Sequence, residues 1–87
     1  MTKKNVKHKL KSETLDTVKK GMKVIIATLP DGIEKAQLIR LGITKGSVVL
    51  CLERLPGGTI VLKRNRQEIA IGYPLAKKIK FSPDDNA

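Results

Sequence analysis

The side chains best suited to chemistry in this 87-residue chain are few and scattered. His8 is the only imidazole, and no serine and carboxylate accompany it in a pattern that suggests a nucleophilic triad. It lies in a lysine-rich segment, where a lone histidine reads as solvated. Cys51 alternates with apolar neighbours, so the expectation is a strand-borne thiol in or near a barrel wall. A reactive cysteine needs accessible, electropositive surroundings, and this pattern supplies none. A ferrous site gathers imidazoles and carboxylates, whereas this chain offers one His, one Cys and dispersed acids. Asp84-Asp85 would hold a hard cation only weakly. Gly57-Gly58 lacks the Lys-Ser/Thr that completes a phosphate loop. The expectation is therefore a non-enzyme with no catalytic residue, no cofactor-binding residue and no metal ligand set of its own.

What remains is charge. Eighteen Lys and Arg against eight Asp and Glu give a formal +10. Lys3, Lys4, Lys7, Lys9 and Lys11 put half of this excess on residues 1–12, which contain no acid. Residues 1–13 are expected to be a disordered, solubilising tail, because such a segment has little apolar surface to bury. On the folded part, Arg54, Lys63, Arg64 and Arg66 gather around expected hairpins and are the candidate partner-binding residues. Lys77, Lys78 and Lys80 follow on the last turn and strand. Nucleic acid is a competing partner for so basic a chain. Single-strand binders add stacking aromatics, however, and Tyr73 and Phe81 are the only aromatics present. Phosphate-only binding would show steep salt dependence.

Size and composition bound the fold. The chain is one domain with an aliphatic core of Ile, Val and Leu. A single cysteine excludes an internal disulfide and fits a reducing compartment. The longest apolar runs, 24–27 and 48–52, fall far short of the ~20 residues that span a bilayer. No apolar stretch follows the N-terminal lysines as a secretory signal requires. A cytoplasmic protein without membrane insertion is expected.

The elements that must position these residues are short. Leu15 and Val18 share one face of a helical turn, which Gly21 closes. Residues 22–29 are rich in β-branched side chains and predict a first strand. Asp31 and Glu34 have the spacing of a capping box, predicting a helix through Arg40 with Leu38 and Leu41 on its inner side. Gly42 suits the left-handed position past a helix end, with Ile43 folding back on the last turn. Further strands are expected over residues 47–55, 59–64, 67–71 and 78–81. Turns at Pro56-Gly57-Gly58 and Asn65-Arg66 connect three of them, and Pro74 opens a short helical turn. Ile69, Ile71, Ile79 and Phe81 should face inward. The fold class is all-β with one or two short helices: a small five-stranded barrel whose last strand pairs with its first.

One set of these residues resembles a known family. Leu15, Gly21, Leu38, Leu41-Gly42, Gly46, Pro56-Gly57, Ile69-Ala70-Ile71, Ala76 and Ile79-Lys80-Phe81 follow, in order, the pattern of ferrous iron transport protein A, FeoA. The resemblance covers residues 14–81, between the basic tail of residues 1–13 and a polar tail of residues 82–87. Lys45 departs from it, standing where the family usually has proline, and Gln37 stands where arginine is common. The resemblance implies an SH3-like barrel, an association with iron transport, and a partner: the cytosolic domain of the FeoB-type membrane iron transporter, at the inner membrane. A second implied reading is a stand-alone regulatory module like the C-terminal domain of DtxR-type iron-dependent repressors. The matching residues are turn glycines and core aliphatics, which specify a fold rather than a function.

Overall fold

The computed structural model describes residues 13–84. Of the tails expected over residues 1–13 and 82–87, residues 1–12 and 85–87 lie outside the described residues, whereas Glu13, Ser82 and Pro83 are in strands.

The described residues form six strands and two short helices: β1 (Glu13–Thr14), β2 (Lys23–Thr28), α1 (Ile33–Arg40), β3 (Val48–Arg54), β4 (Ile60–Arg64), β5 (Gln67–Ile71), α2 (Tyr73–Ala76) and β6 (Lys80–Pro83). A 3-10 turn over Leu15–Thr17 follows β1. All pairings are antiparallel, and the sheet order is β1-β6-β2-β3-β4-β5. The five expected strands correspond to β2 through β6. The last does pair with the first of them, Ile26 lying opposite Phe81. The sixth strand is the two-residue β1, too short to show a period of two, which adds to the other edge of β6.

Two bulges curve this sheet around one core. The register shifts between Ile26 and Thr28 on β2, and between Cys51 and Glu53 on β3. Each inserts one extra residue opposite a single partner, which bends the strand and increases its twist. The second bulge also explains a departure from strict alternation. Val49 and Cys51 are buried, but Glu53, expected on their face, is exposed.

The core is aliphatic apart from Phe81 and Cys51, as composition requires. Leu15, Val18, Val24, Leu38, Ile43, Ile60, Leu62, Ala76 and Ile79 are fully buried, with Ile26, Ile71 and Phe81 nearly so. Ile69 and Ile71 point inward from β5 as the alternation predicts. Fully burying one such side chain contributes roughly 1.5–3 kcal/mol, so this cluster is what holds the strands together.

Two expectations for α1 fail. The residue before it is Gly32, and no side chain caps the helix. Asp31 therefore does not form the box suggested by its spacing to Glu34. Leu41 is 41% exposed rather than inward, because the helix ends at Arg40 and Leu41 is already its C-cap. The helix end itself is a Schellman turn. Gly42 takes φ +88°, its N–H donates to the Ile39 carbonyl at 2.9 Å, and the Ile43 N–H donates to the Leu38 carbonyl at 2.9 Å. Ile43 and Leu38 are both fully buried, supplying the apolar contact that accompanies this motif.

Candidate functional site

The four candidate partner-binding residues divide between the two ends of the sheet. In the β3–β4 ladder Arg54 lies opposite Ile60, while Lys63 lies three pairs further along, opposite Leu50. Arg64 ends β4 and Arg66 sits in the turn to β5. The structure thus brings Lys63, Arg64 and Arg66 together at the β4–β5 turn and leaves Arg54 at the other end. There the Arg54 Nη2 donates to the Asp16 carbonyl at 3.0 Å, tying β3 to the 3-10 turn. The lysines of the last segment are partly engaged as well. Lys78 Nζ meets the Glu34 carboxylate at 3.1 Å, linking α1 to the segment after α2. Lys77 Nζ lies 5.1 Å from the Tyr73 ring centre.

The end holding Arg64 is built where the β4–β5 turn meets the α1–β3 connection. Arg64 has the inward parity of Ile60 and Leu62, but it comes after the core has ended, and it is half-buried. Its guanidinium lies over the Schellman turn: a Cβ placed on Gly42 would be 3.2 Å from Nη1 and 3.7 Å from Cζ. Gln67, opposite Arg64 in the β4–β5 ladder, brings its Oε1 within 3.7 Å of the same point. Glycine at 42 is needed for the positive φ, and its bare Cα also lets the guanidinium approach closely. Asn65, the only non-glycine residue with positive φ (56°) among those described, makes the turn between Arg64 and Arg66.

Below this turn the Gly42–Ser47 connection is held firmly. The buried Ser47 hydroxyl accepts from the Thr44 N–H at 3.0 Å. The Gly46 N–H donates to the Ile26 carbonyl at 2.8 Å, and the Ile26 N–H donates to the Ser47 carbonyl at 2.9 Å. Beside it is a shallow groove of about 290 Å3 between the end of β2, α1 and the Thr44-Lys45 turn. Ala27, Leu29 and Ile39 give it an apolar lining, and Lys35 and Lys45 line it together with Asp31. Its volume is at the bottom of the ~300–1,000 Å3 typical of small-molecule pockets.

Arg40 and Leu41, which immediately precede Gly42, were not legible as surface candidates. Sequence reasoning treats them as the end of a helix and part of its inner side. The signal that places them at this end is the Gly42 turn itself, once Arg64 is known to lie on it.

Cys51 is buried, and its Sγ contacts the Glu53 carbonyl at 3.6 Å. Burial pushes its pKa up, against a smaller lowering by Arg54. The thiol is thus held in its protonated, unreactive form. Among the described residues no three or more His, Cys, Asp or Glu side chains assemble into a group that would hold a metal ion. These side chains do not fit a ferrous site. No helix among the described residues is long and apolar enough to cross a membrane.

Comparison with known proteins adds identity to this geometry. The model of the FeoA domain family matches residues 13–83. The fold is similar to the crystal structure of an iron uptake regulatory protein, FeoA, at 27% identity and a TM-score of 0.74, covering 83% of this chain and 97% of that one. It is also similar to the NMR structure of a FeoA-like protein from Clostridium acetobutylicum, at 21% identity and a TM-score of 0.74, covering 84% and 87%. A manganese-dependent transcriptional repressor shares the fold at 20% identity and a TM-score of 0.75, where 84% of this chain spans 42% of the repressor. Among curated proteins, sequence comparison finds no match.

Proposed function

Because the chain belongs to the FeoA domain family, we propose that it is a non-enzymatic accessory protein of ferrous iron uptake. It docks on the cytosolic part of a FeoB-type membrane transporter and modulates it, so it works in the cytoplasm, peripheral to the membrane. The observation that carries this reading is the continuous family match over residues 13–83, which takes in every described element.

Such a protein needs no chemistry of its own. If it binds one conformation of the transporter about 100-fold more tightly than another, it shifts their equilibrium by about 2.7 kcal/mol. Ferrous iron is then the transporter's cargo, and the described side chains, which do not fit a ferrous site, are not asked to hold it. The test is NMR shift mapping of the full chain with the cytosolic domain of a FeoB-type transporter, together with ferrous uptake in a deletion strain. Saturable shifts and reduced uptake are expected; no contact and normal uptake would sink the proposal.

One observation favours a second reading. The fold shared with part of a manganese-dependent repressor supports a stand-alone regulatory module like the C-terminal domain of DtxR-type iron-dependent repressors. Co-purification with such a repressor, and none with the transporter, would favour it. Nucleic-acid binding is the remaining competitor, and mobility shifts of DNA and RNA across a salt series separate it from both.

A further inference from the structure

The end of the barrel carrying the Gly42 turn is an unpaired cationic surface with an apolar centre. Residues 40–44 and 63–68 contain Arg40, Lys63, Arg64 and Arg66 against one carboxylate, Glu68, which stands opposite Lys63 in the β4–β5 ladder. The ion pairs among the described residues join Lys20 to Glu53 and Lys78 to Glu34, and neither involves this end. Leu41, 41% exposed, sits between Arg40 and the Gly42 on which Arg64 rests. We propose that this end, centred on Arg64 and Leu41, is the docking surface for an acidic protein segment that also carries an apolar side chain.

Three features favour such an occupant. Arg64 is half-buried, and its guanidinium rests against Gly42 beside Gln67, so its freedom is restricted before any partner arrives. A planar guanidinium held in this way presents a fork that matches a carboxylate, at little further cost in side-chain entropy. The excess of positive charge would steer an acidic segment onto this end. The exposed Leu41 supplies the dehydrated contact that charge alone does not.

Nucleic acid fits less well. Tyr73 packs at the opposite end, where its Cδ1 lies 2.8 Å from a Cβ placed on Gly58. Phe81 is buried in the core. No aromatic is therefore available at the basic end to stack a base. The proposal rests on the accessory reading only for the partner's identity, since the chemistry of the surface stands on its own.

The experiment has two arms. In the first, the isotope-labelled full chain is titrated with a synthetic peptide alternating Glu and Leu, and separately with a short single-stranded DNA, at ~150 mM salt. Peptide-induced shifts should concentrate at residues 40–42 and 64–67. The reversal Arg64→Glu with Arg66→Glu should weaken peptide binding by about 10- to 100-fold. A reversal of equal charge at the other end, Lys19→Glu with Lys77→Glu, should change it less than about 3-fold. Arg64→Lys keeps the charge but loses the fork, so it should give an intermediate loss. It serves as the test if the double reversal does not fold. Shifts centred elsewhere, equal loss from both reversals, or tighter binding of DNA at the same residues would overturn the proposal.

The second arm repeats the comparison with the cytosolic domain of a FeoB-type transporter, where loss of binding in the Arg64 and Arg66 reversal alone is expected. If that domain binds the wild type and this reversal alike, the surface is wrong and the accessory reading survives. If it does not bind at all while the peptide result holds, the accessory reading falls and the surface stands.

Discussion

Replacing Gly57 and Gly58 by alanine, one at a time, separates backbone strain from side-chain crowding within a single hairpin. The two glycines have nearly the same φ, +90° and +94°, so both substitutions force an L-residue into the left-handed half of backbone space. That costs about 1–2 kcal/mol in either case. They differ in what a Cβ would meet. At Gly57 nothing lies within 4 Å, whereas at Gly58 the new atom would be 2.8 Å from Tyr73 Cδ1, 2.9 Å from its Cβ and 3.1 Å from its Cγ. The ring could swing away, since Tyr73 is 43% exposed, but its Cβ is fixed to the backbone of α2. Gly58→Ala should therefore cost a further ~1–3 kcal/mol, the usual penalty of overpacking. A domain of this size has about 4–13 kcal/mol in total at ordinary stability per residue. The Gly57→Ala loss should appear as a Tm lower by roughly 4–16 °C. Gly58→Ala should fall clearly further in the same scan. Urea unfolding followed by circular dichroism reads both values, with an unchanged m-value showing that stability alone has moved. Tyr73→Ala should rescue Gly58→Ala only in part, because it removes the ring and leaves the Cβ contact, while leaving Gly57→Ala unaffected. Equal losses at the two positions, or full rescue by Tyr73→Ala, would refute the placement of α2 against this hairpin.

Further outcomes rest on the core and its margins. Leu38→Ala, at a fully buried position against Ile43, should destabilise by about 2–5 kcal/mol in urea unfolding. Leu41→Ala, at an exposed position, should stay within about 0.5 kcal/mol. Native Cys51 should resist thiol labelling until the protein unfolds. Because burial raises its folded pKa above the ordinary 9.0, the stability it contributes is fully present below that value and is lost as pH rises through the folded pKa. Urea midpoints of the wild type should thus fall more steeply above about pH 9 than those of Cys51→Val. Glu34→Gln, which breaks the exposed pair with Lys78, should cost less than about 1 kcal/mol, and the difference should shrink in high salt.

Strand positions were legible in the sequence wherever one face alternates and turns punctuate it. Residues 67–71 match β5 to the residue, with Ile69 and Ile71 inward, because Asn65-Arg66 and Gly72 bound a short period-two run. The Gly42-Ile43 helix end was legible for a related reason: a glycine followed by an apolar residue specifies a local hydrogen-bond pattern. The α1 start was not, since Asp31 has the right spacing but Gly32 takes the cap position. The bulge between Cys51 and Glu53 was not either, since a bulge depends on the partner strand.

The sequence by itself therefore determined the all-β class, the aliphatic core and the family, because turn glycines and alternating aliphatics are local signals that need no partner to be read. Only the tertiary structure decided where the charges meet. Arg54 and Arg64 both border strands of one hairpin, yet one is tied to Asp16 at one end and the other lies on Gly42 at the opposite end. Gly42, more than twenty residues from Arg64 in the chain, becomes its neighbour because the Schellman turn and the end of β4 close on the same face. Such proximity arises from long-range packing, and no local pattern encodes it.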